Sequence, residues 1–301
     1  MSNRLKKSIV KTLVYADVFD YPLTKEEIWQ FLISDKGLTL RETSTALNNG
    51  STMIVKKSGF YCFSGRTEII NKRLERGKES NNKIHLAEKI IFKLSVIPTV
   101  QLIGISGALA MKNSHKNDDI DLFVIAKKNT LWTTRLFLLL LLQIMGYRRK
   151  RNEKNVTDKF CLNMLMDESN LGLQKERQNL YTAHEVVQMM PLFERNSAHQ
   201  KFIRANRWVE KFLPNAVKHP TTERFSGTST EYIFSTVLRI ILCLVLRFSA
   251  IEVVSKAVQL SMIRRHHTIE IISDTLLAFH PKDYMNKVLK NYKAGLKKYE
   301  I

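Results

Sequence analysis

Asp119 and Asp121 restrict what this chain can become more than any other residues. They stand two apart at the head of an apolar run, Asp119-Ile-Asp121-Leu-Phe-Val-Ile125. The run reads as a strand, and its period-two alternation puts both carboxylates on one face, with Phe123 next in line. Two acids so placed repel each other and lose water together, and such a pair is usually retained because a cation sits between them.

The flanking residues extend the pattern. Val100–Ile105 reads as a buried strand and Gly104, Ser106, Gly107 and Ala108 as a tight turn of small residues. Ala108–Lys112 predicts a short helix, and Asn113–Asp118 a polar loop leading to the acidic pair. Downstream, Leu131–Met145 predicts a helix and Lys159–Met166 a third strand. Asn163 is the polar residue expected to face inward on that strand, with Asp158 and Asp167 at its ends. Arg148–Arg151 are four consecutive cations, readable as a phosphate or nucleic-acid contact or as a solvated run favourable to a helix C-terminus.

Strand, glycine turn, short helix and Asp-hydrophobic-Asp on the next strand resemble the nucleotidyltransferase superfamily that includes DNA polymerase β, kanamycin nucleotidyltransferase, CCA-adding enzymes and poly(A) polymerases. Gly107 and Ala110 fall at that family's glycine and small-residue positions. The resemblance implies a small mixed sheet with flanking helices over residues 98–170. It also implies Mg²⁺ held by Asp119 and Asp121, a triphosphate resting on Ser106, Gly107 and Ala108, and transfer of NMP from an NTP to an acceptor. The sequence departs from the family at two points. Ala108 stands where a phosphate-binding Ser is usual, although Ser106 offers a hydroxyl two residues earlier, and Asn163 stands where a third carboxylate belongs.

Ahead of this core, residues 5–18 place Leu5, Ile9 and Leu13 on one helical face, and Pro22 ends the pattern. Thr24–Glu27 and Thr39–Glu42 are capping boxes, each opening a helix, the second stopping near Asn49-Gly50. Met53–Val55 and Phe60–Phe63 form a hairpin with Lys56-Lys57-Ser58-Gly59 as its turn. Three helices and a hairpin in residues 1–65 resemble a winged helix, implying DNA contact or protein contact. Residues 66–97 read as a connector of two helices divided by Gly77 and Ser80–Asn82.

Residues 171–301 read as a helical region, broken by a Pro/Thr/Ser/Gly linker at 219–232. Leu180–Met190, Lys201–Leu213, Ile233–Ile263, Thr268–Phe279 and Asp283–Tyr299 carry the helical pattern. His184-Glu185 lacks the second histidine of a zinc motif, since Gln188 stands there, and reads as a helix-surface pair. The adjacent His266-His267 point apart on a helix, which suits metal badly.

The fold class is therefore α/β (α+β). Three scattered cysteines exclude a disulfide framework, and a reducing, cytoplasmic setting is expected. Leu136–Tyr147 is too short to span a bilayer, and Arg239, Arg247, Glu252 and Lys256 interrupt Ile233–Ile263. Buried helices are favoured over membrane-surface contact. A net charge of +20, with no acidic third, favours polyanionic partners such as NTP or nucleic acid. The leading expectation is a Mg²⁺-dependent nucleotidyltransferase acting on RNA, protein or a small molecule. The alternative is a nucleic-acid-binding or regulatory protein whose transferase core is degenerate.

Overall fold

The computed structural model describes residues 3–48, 52–150, 153–218, 249–264, 271–279 and 282–301. The expected linker at 219–232, the apolar stretch before residue 249, and His266-His267 lie outside them.

Helix α1 (Asn3–Asp17) turns Ile9, Val10, Leu13 and Val14 inward. A two-residue strand, β1 (Leu23–Thr24), leads into α2 (Lys25–Gln30). The predicted capping box forms there: Glu27 N–H donates to the Thr24 hydroxyl at 3.2 Å, and Thr24 N–H donates to the Glu27 carboxylate at 2.8 Å. Thr39 and Glu42 make the same exchange, at 3.2 and 2.7 Å, ahead of α3 (Leu40–Asn48).

The hairpin is tighter than the sequence suggests. Its strands are β2 (Ile54–Lys57) and β3 (Phe60–Phe63), so Lys56 and Lys57 belong to a strand, opposite Tyr61 and Phe60. Ser58 and Gly59 alone reverse the chain, both at positive φ (50° and 82°), as in the primed two-residue turns that match strand twist. β1 pairs with β3, giving a three-stranded sheet of order β1-β3-β2.

Residues 66–97 contain one long helix, α4 (Ile69–Leu94), where the sequence predicts two. Gly77 and Ser80–Asn82 are weak helix formers, but tertiary contacts override propensity. Ser80 is fully buried, its hydroxyl accepting the Ser114 N–H at 3.1 Å. Two arginines of this segment serve the amino-terminal module. Arg66 pairs with Asp17 and Asp20, and the Arg73 guanidinium lies 3.6 Å over the Tyr21 ring while pairing with Glu27 at 2.6 Å.

The remaining elements follow as β4 (Val100–Ile105), α5 (Gly107–Ala110), β5 (Ile120–Ala126), α6 (Leu131–Ile144), β6 (Phe160–Asp167), α7 (Leu180–Gln188) and β7 (Met190–Glu194). After them come α8 (Ala198–Ala205), α9 (Pro214–Lys218), α10 (Ser249–Arg264), β8 (Ile271–Ile272), β9 (Leu276–Ala278) and α11 (Lys282–Lys298). They form a six-stranded sheet of order β7-β4-β5-β6-β9-β8. Among the described residues, β5 and β6 are its one pair of parallel neighbouring strands, joined through α6 as a parallel pair requires. The fold is thus mixed α and β.

The expectation that 171–301 is helical needs correction, because β7, β8 and β9 all come from it. Met190 and Pro191 lie in an edge strand, where proline's missing N–H is tolerated, at a register shift opposite β4. Leu276–Ala278, read as helix, pair with Met164–Met166 of β6.

Two apolar clusters sandwich this sheet. Ile84, Ile90 and Leu94 of α4 and Leu138 and Leu142 of α6 cover one face, over Ile103, Leu122 and Val124. On the other face Leu102, Phe123 and Ile125 meet Val186 of α7 and Phe202 of α8. That second cluster runs without a break into α1, α2 and α11. No helix among the described residues is long and apolar enough to cross a membrane.

Candidate functional site

The acidic pair sits where β5 begins. Asp119 immediately precedes the strand and Asp121 lies one residue inside it, on the face covered by α7 and α8. The turn predicted upstream folds back onto the pair. Ser106 N–H donates to the Asp121 carbonyl at 3.0 Å, and Gly107 opens α5 with φ of +66°. A Cβ on Gly107 would lie 3.6 Å from an Asp121 carboxylate oxygen, so the backbone runs directly beside the acid. The Ser106 hydroxyl is buried with no hydrogen-bond partner. Ala108 is exposed on the first turn of α5. Asp119, Asp121, Ser106 and Gly107 are therefore gathered as the sequence predicts.

The third strand differs. The residue level with Asp121 on parallel β6 is Cys161, and Asn163 is the extra residue where the register shifts between Leu162 and Met164. The bulge takes Asn163 out of the regular pairing, which counting alternate residues from the sequence cannot show. Asp119, Asp121 and Cys161 each offer a ligand atom within 4.8 Å of the others. Asp158 and Asp167 do not join them. Asp158 pairs with Lys83 at 2.7 Å, and Asp167, level with Ala126 at the far end of β6, accepts the Asn129 and Ser169 N–H groups.

Arg149, from the basic run, contacts the pair directly, its Nη1 lying 2.5 Å from Asp119 Oδ2. An isolated parallel bridge from Arg148 to Phe160 holds this segment along the start of β6. The buried Lys83 of α4 fixes the two approaches to the site. It donates to the Asp118 carbonyl at 2.8 Å and to Asp158 at 2.7 Å, joining the loops that enter β5 and β6.

The opposite wall comes from α7. Met190 is paired with Ile105, one residue before Ser106, so α7 descends onto the glycine turn and packs against α5. Met189 closes against Gly104, where any Cβ would lie 2.4 Å from the Met189 sulfur. One turn earlier, Glu185 and His184 sit inside the protein, not on the helix surface the sequence suggests. His184 stacks on Tyr15 at 4.0 Å, and burial pushes its pKa down to about 3. Glu185 keeps limited contact with solvent, and burial pushes its carboxyl up to about 7.

The electrostatics of the site converge on Asp121. Burial raises its pKa to about 7, Asp119 pushes the same way, Arg149 opposes, and Glu185 and Asp118 add to the rise. Burial, reinforced by Asp121 and Asp119, pushes the Cys161 thiol up to about 12. Cys161 thus stays a neutral thiol at neutral pH. Two hard carboxylates suit Mg²⁺, whereas a protonated thiol does not, so the donor set fits such an ion through Asp119 and Asp121 alone. Arg149 belongs to the basic run the sequence singles out, whereas Cys161 and Glu185 escape sequence reasoning because strand register and helix docking bring them in.

No protein-family model matches the chain, and no curated protein is similar to it. Among solved structures, one described as "Crystal structure of the toxin-antitoxin with AMP-PNP" is similar over 39% of this chain and 82% of its own, at 21% identity and a TM-score of 0.25. A likeness that slight carries no argument about fold or function.

Proposed function

We propose that this protein binds a nucleoside triphosphate at the Ser106–Ala108 turn and transfers its nucleotidyl group to a hydroxyl-bearing acceptor, with pyrophosphate as the leaving group. The observation that carries the reading is the close approach of Gly107 to the Asp121 carboxylate, 3.6 Å from where a side chain would begin. It sets backbone free of any side chain next to a pair of acids. In this reading Gly107 keeps the turn free of side chains, and the buried, unpartnered Ser106 hydroxyl donates to a phosphate oxygen. Asp119 and Asp121 would hold Mg²⁺, which supplies charge neutralisation to the phosphates. Arg149 swings between Asp119 and the triphosphate, and Glu185 receives the acceptor's proton from across the cleft.

The amino-terminal order of helix, strand, two helices and hairpin fits a winged helix, which here would present the acceptor or a partner protein. A second reading, nucleotide binding without turnover, is favoured by one observation. Arg149 already neutralises Asp119, and a neutral thiol occupies the third-acid position.

Calorimetric titration of each NTP, with and without Mg²⁺, into wild type and Asp119→Asn/Asp121→Asn tests the site. Metal-dependent binding lost in the double variant is expected. Binding of no NTP by the folded wild type refutes both readings. Metal-independent binding, with no transfer in an acceptor screen, selects the second.

A further inference from the structure

Helix α10 is held to α6 by polar anchors as well as apolar packing. Leu260 and Ile263 pack on the core, Glu252 accepts the N–H groups of Trp132 and Thr133 at 2.8 Å, capping α6, and buried Gln259 donates to the Trp132 carbonyl and accepts from Arg135. Buried Ser255 lies between them. Its outer side is apolar, with Val253, Val254, Val258 and Met262 between 50% and 67% exposed. Positions 254, 258 and 262 recur at helical spacing, and no charge interrupts the exposed stripe through Ala257 and Ser261.

Neighbouring α6 extends the same surface. Leu140 and Ile144 are 49% and 72% exposed, and a groove of about 780 Å³ between the helices joins Leu140 to Val258 and Met262. Arg148, Arg149 and Lys150 line the same groove beside the apolar face. An exposed apolar patch edged by cations is a binding surface in a water-soluble fold.

We infer that the outer faces of α6 and α10 dock on an anionic lipid bilayer, the valines, Leu140, Ile144 and Met262 entering the headgroup boundary while Arg148 and Lys150 meet lipid phosphates. Charge selects this occupant over a second copy of the chain. A protein of net charge +20 whose patch is edged by cations repels its own copy and is attracted by acidic lipid. The contact is interfacial, in keeping with helices that are not long and apolar enough to cross. It stands independently of the nucleotide site.

The test is flotation of the full chain with vesicles of phosphatidylcholine alone and of phosphatidylcholine mixed with phosphatidylglycerol. Wild type is expected to float with the mixed vesicles and to be released as salt rises. Val254→Asp/Met262→Asp is expected to cut the bound fraction about tenfold, and Lys150→Glu to weaken it in the same direction. Matching thermal unfolding of wild type and variants excludes misfolding as the cause. Three results overturn the inference: no flotation of wild type, flotation unchanged by the double substitution, or a dimer in solution that the double substitution dissociates while vesicles are ignored.

Discussion

For single side chains, the charge on Asp121 is opposed by both burial and Asp119, so folding and ionisation are linked at this residue. Its carboxyl is held near pH 7 in the folded protein, against an ordinary value of 3.8. As pH rises above about 4 the unfolded chain loses this proton first, and the resulting penalty on folding grows until about pH 7, then stays constant. Asp121→Asn removes that penalty. Relative to wild type the variant should therefore be more stable at pH 8 than at pH 4, by an upper bound of about 4 kcal/mol at ~1.4 per pH unit. Urea unfolding of both proteins at both pH values measures it, and a difference that does not change with pH contradicts the raised carboxyl. Gly107→Ala gives a second residue-scale prediction. At φ of +66° an alanine costs about 1–2 kcal/mol, and its methyl would stand in the turn in van der Waals contact with the Asp121 carboxylate, so stability and Mg-NTP affinity should fall together. These two residues are legible in the sequence because the signal is local: an acid pair in an apolar strand, and a glycine in a tight turn. Cys161 and Glu185 are not. One depends on the register of β6 against β5, the other on the docking of α7 against α5.

At the level of elements, α4 and α11 each carry a glycine inside a helix, and their surroundings predict opposite responses. A Cβ on Gly77 meets nothing within 4 Å, so Gly77→Ala should stabilise by about 0.5–1 kcal/mol through helix propensity. A Cβ on Gly295 would lie 2.6 Å from Val14 Cγ1, so Gly295→Ala should destabilise by about 1–3 kcal/mol through overpacking. Chemical denaturation of the pair checks both signs. Lys83 shows what α4 does for the site. Lys83→Met keeps the buried stem but removes the donor that ties Asp118 to Asp158, and a loss of about 2 kcal/mol is expected, with weaker NTP binding in the same calorimetric assay. Helix starts such as Thr24–Glu27 could be read from the sequence because a cap is written in adjacent residues. The continuity of α4 could not, because Ser80 is kept helical by Ser114, a partner far along the chain.

For the whole molecule, the decisive arrangement is the apolar cluster shared by the amino-terminal module, the underside of the larger sheet and α11. Gly295 fits against Val14, Tyr292 meets Tyr15 at 5.7 Å, and Tyr299 stacks on Phe63 at 3.9 Å. Deleting residues 282–301 should therefore loosen α1 and the hairpin first, seen as new protease cleavage in residues 3–63 and a lowered thermal midpoint. Cleavage confined to the neighbourhood of α10 would contradict this. The same packing sets an order of events during synthesis. Val14 leaves the ribosome well before Gly295, so the face of α1 that α11 will cover stays bare while the residues between them are made. Until α11 arrives, α1 is an apolar surface that a holding chaperone would meet.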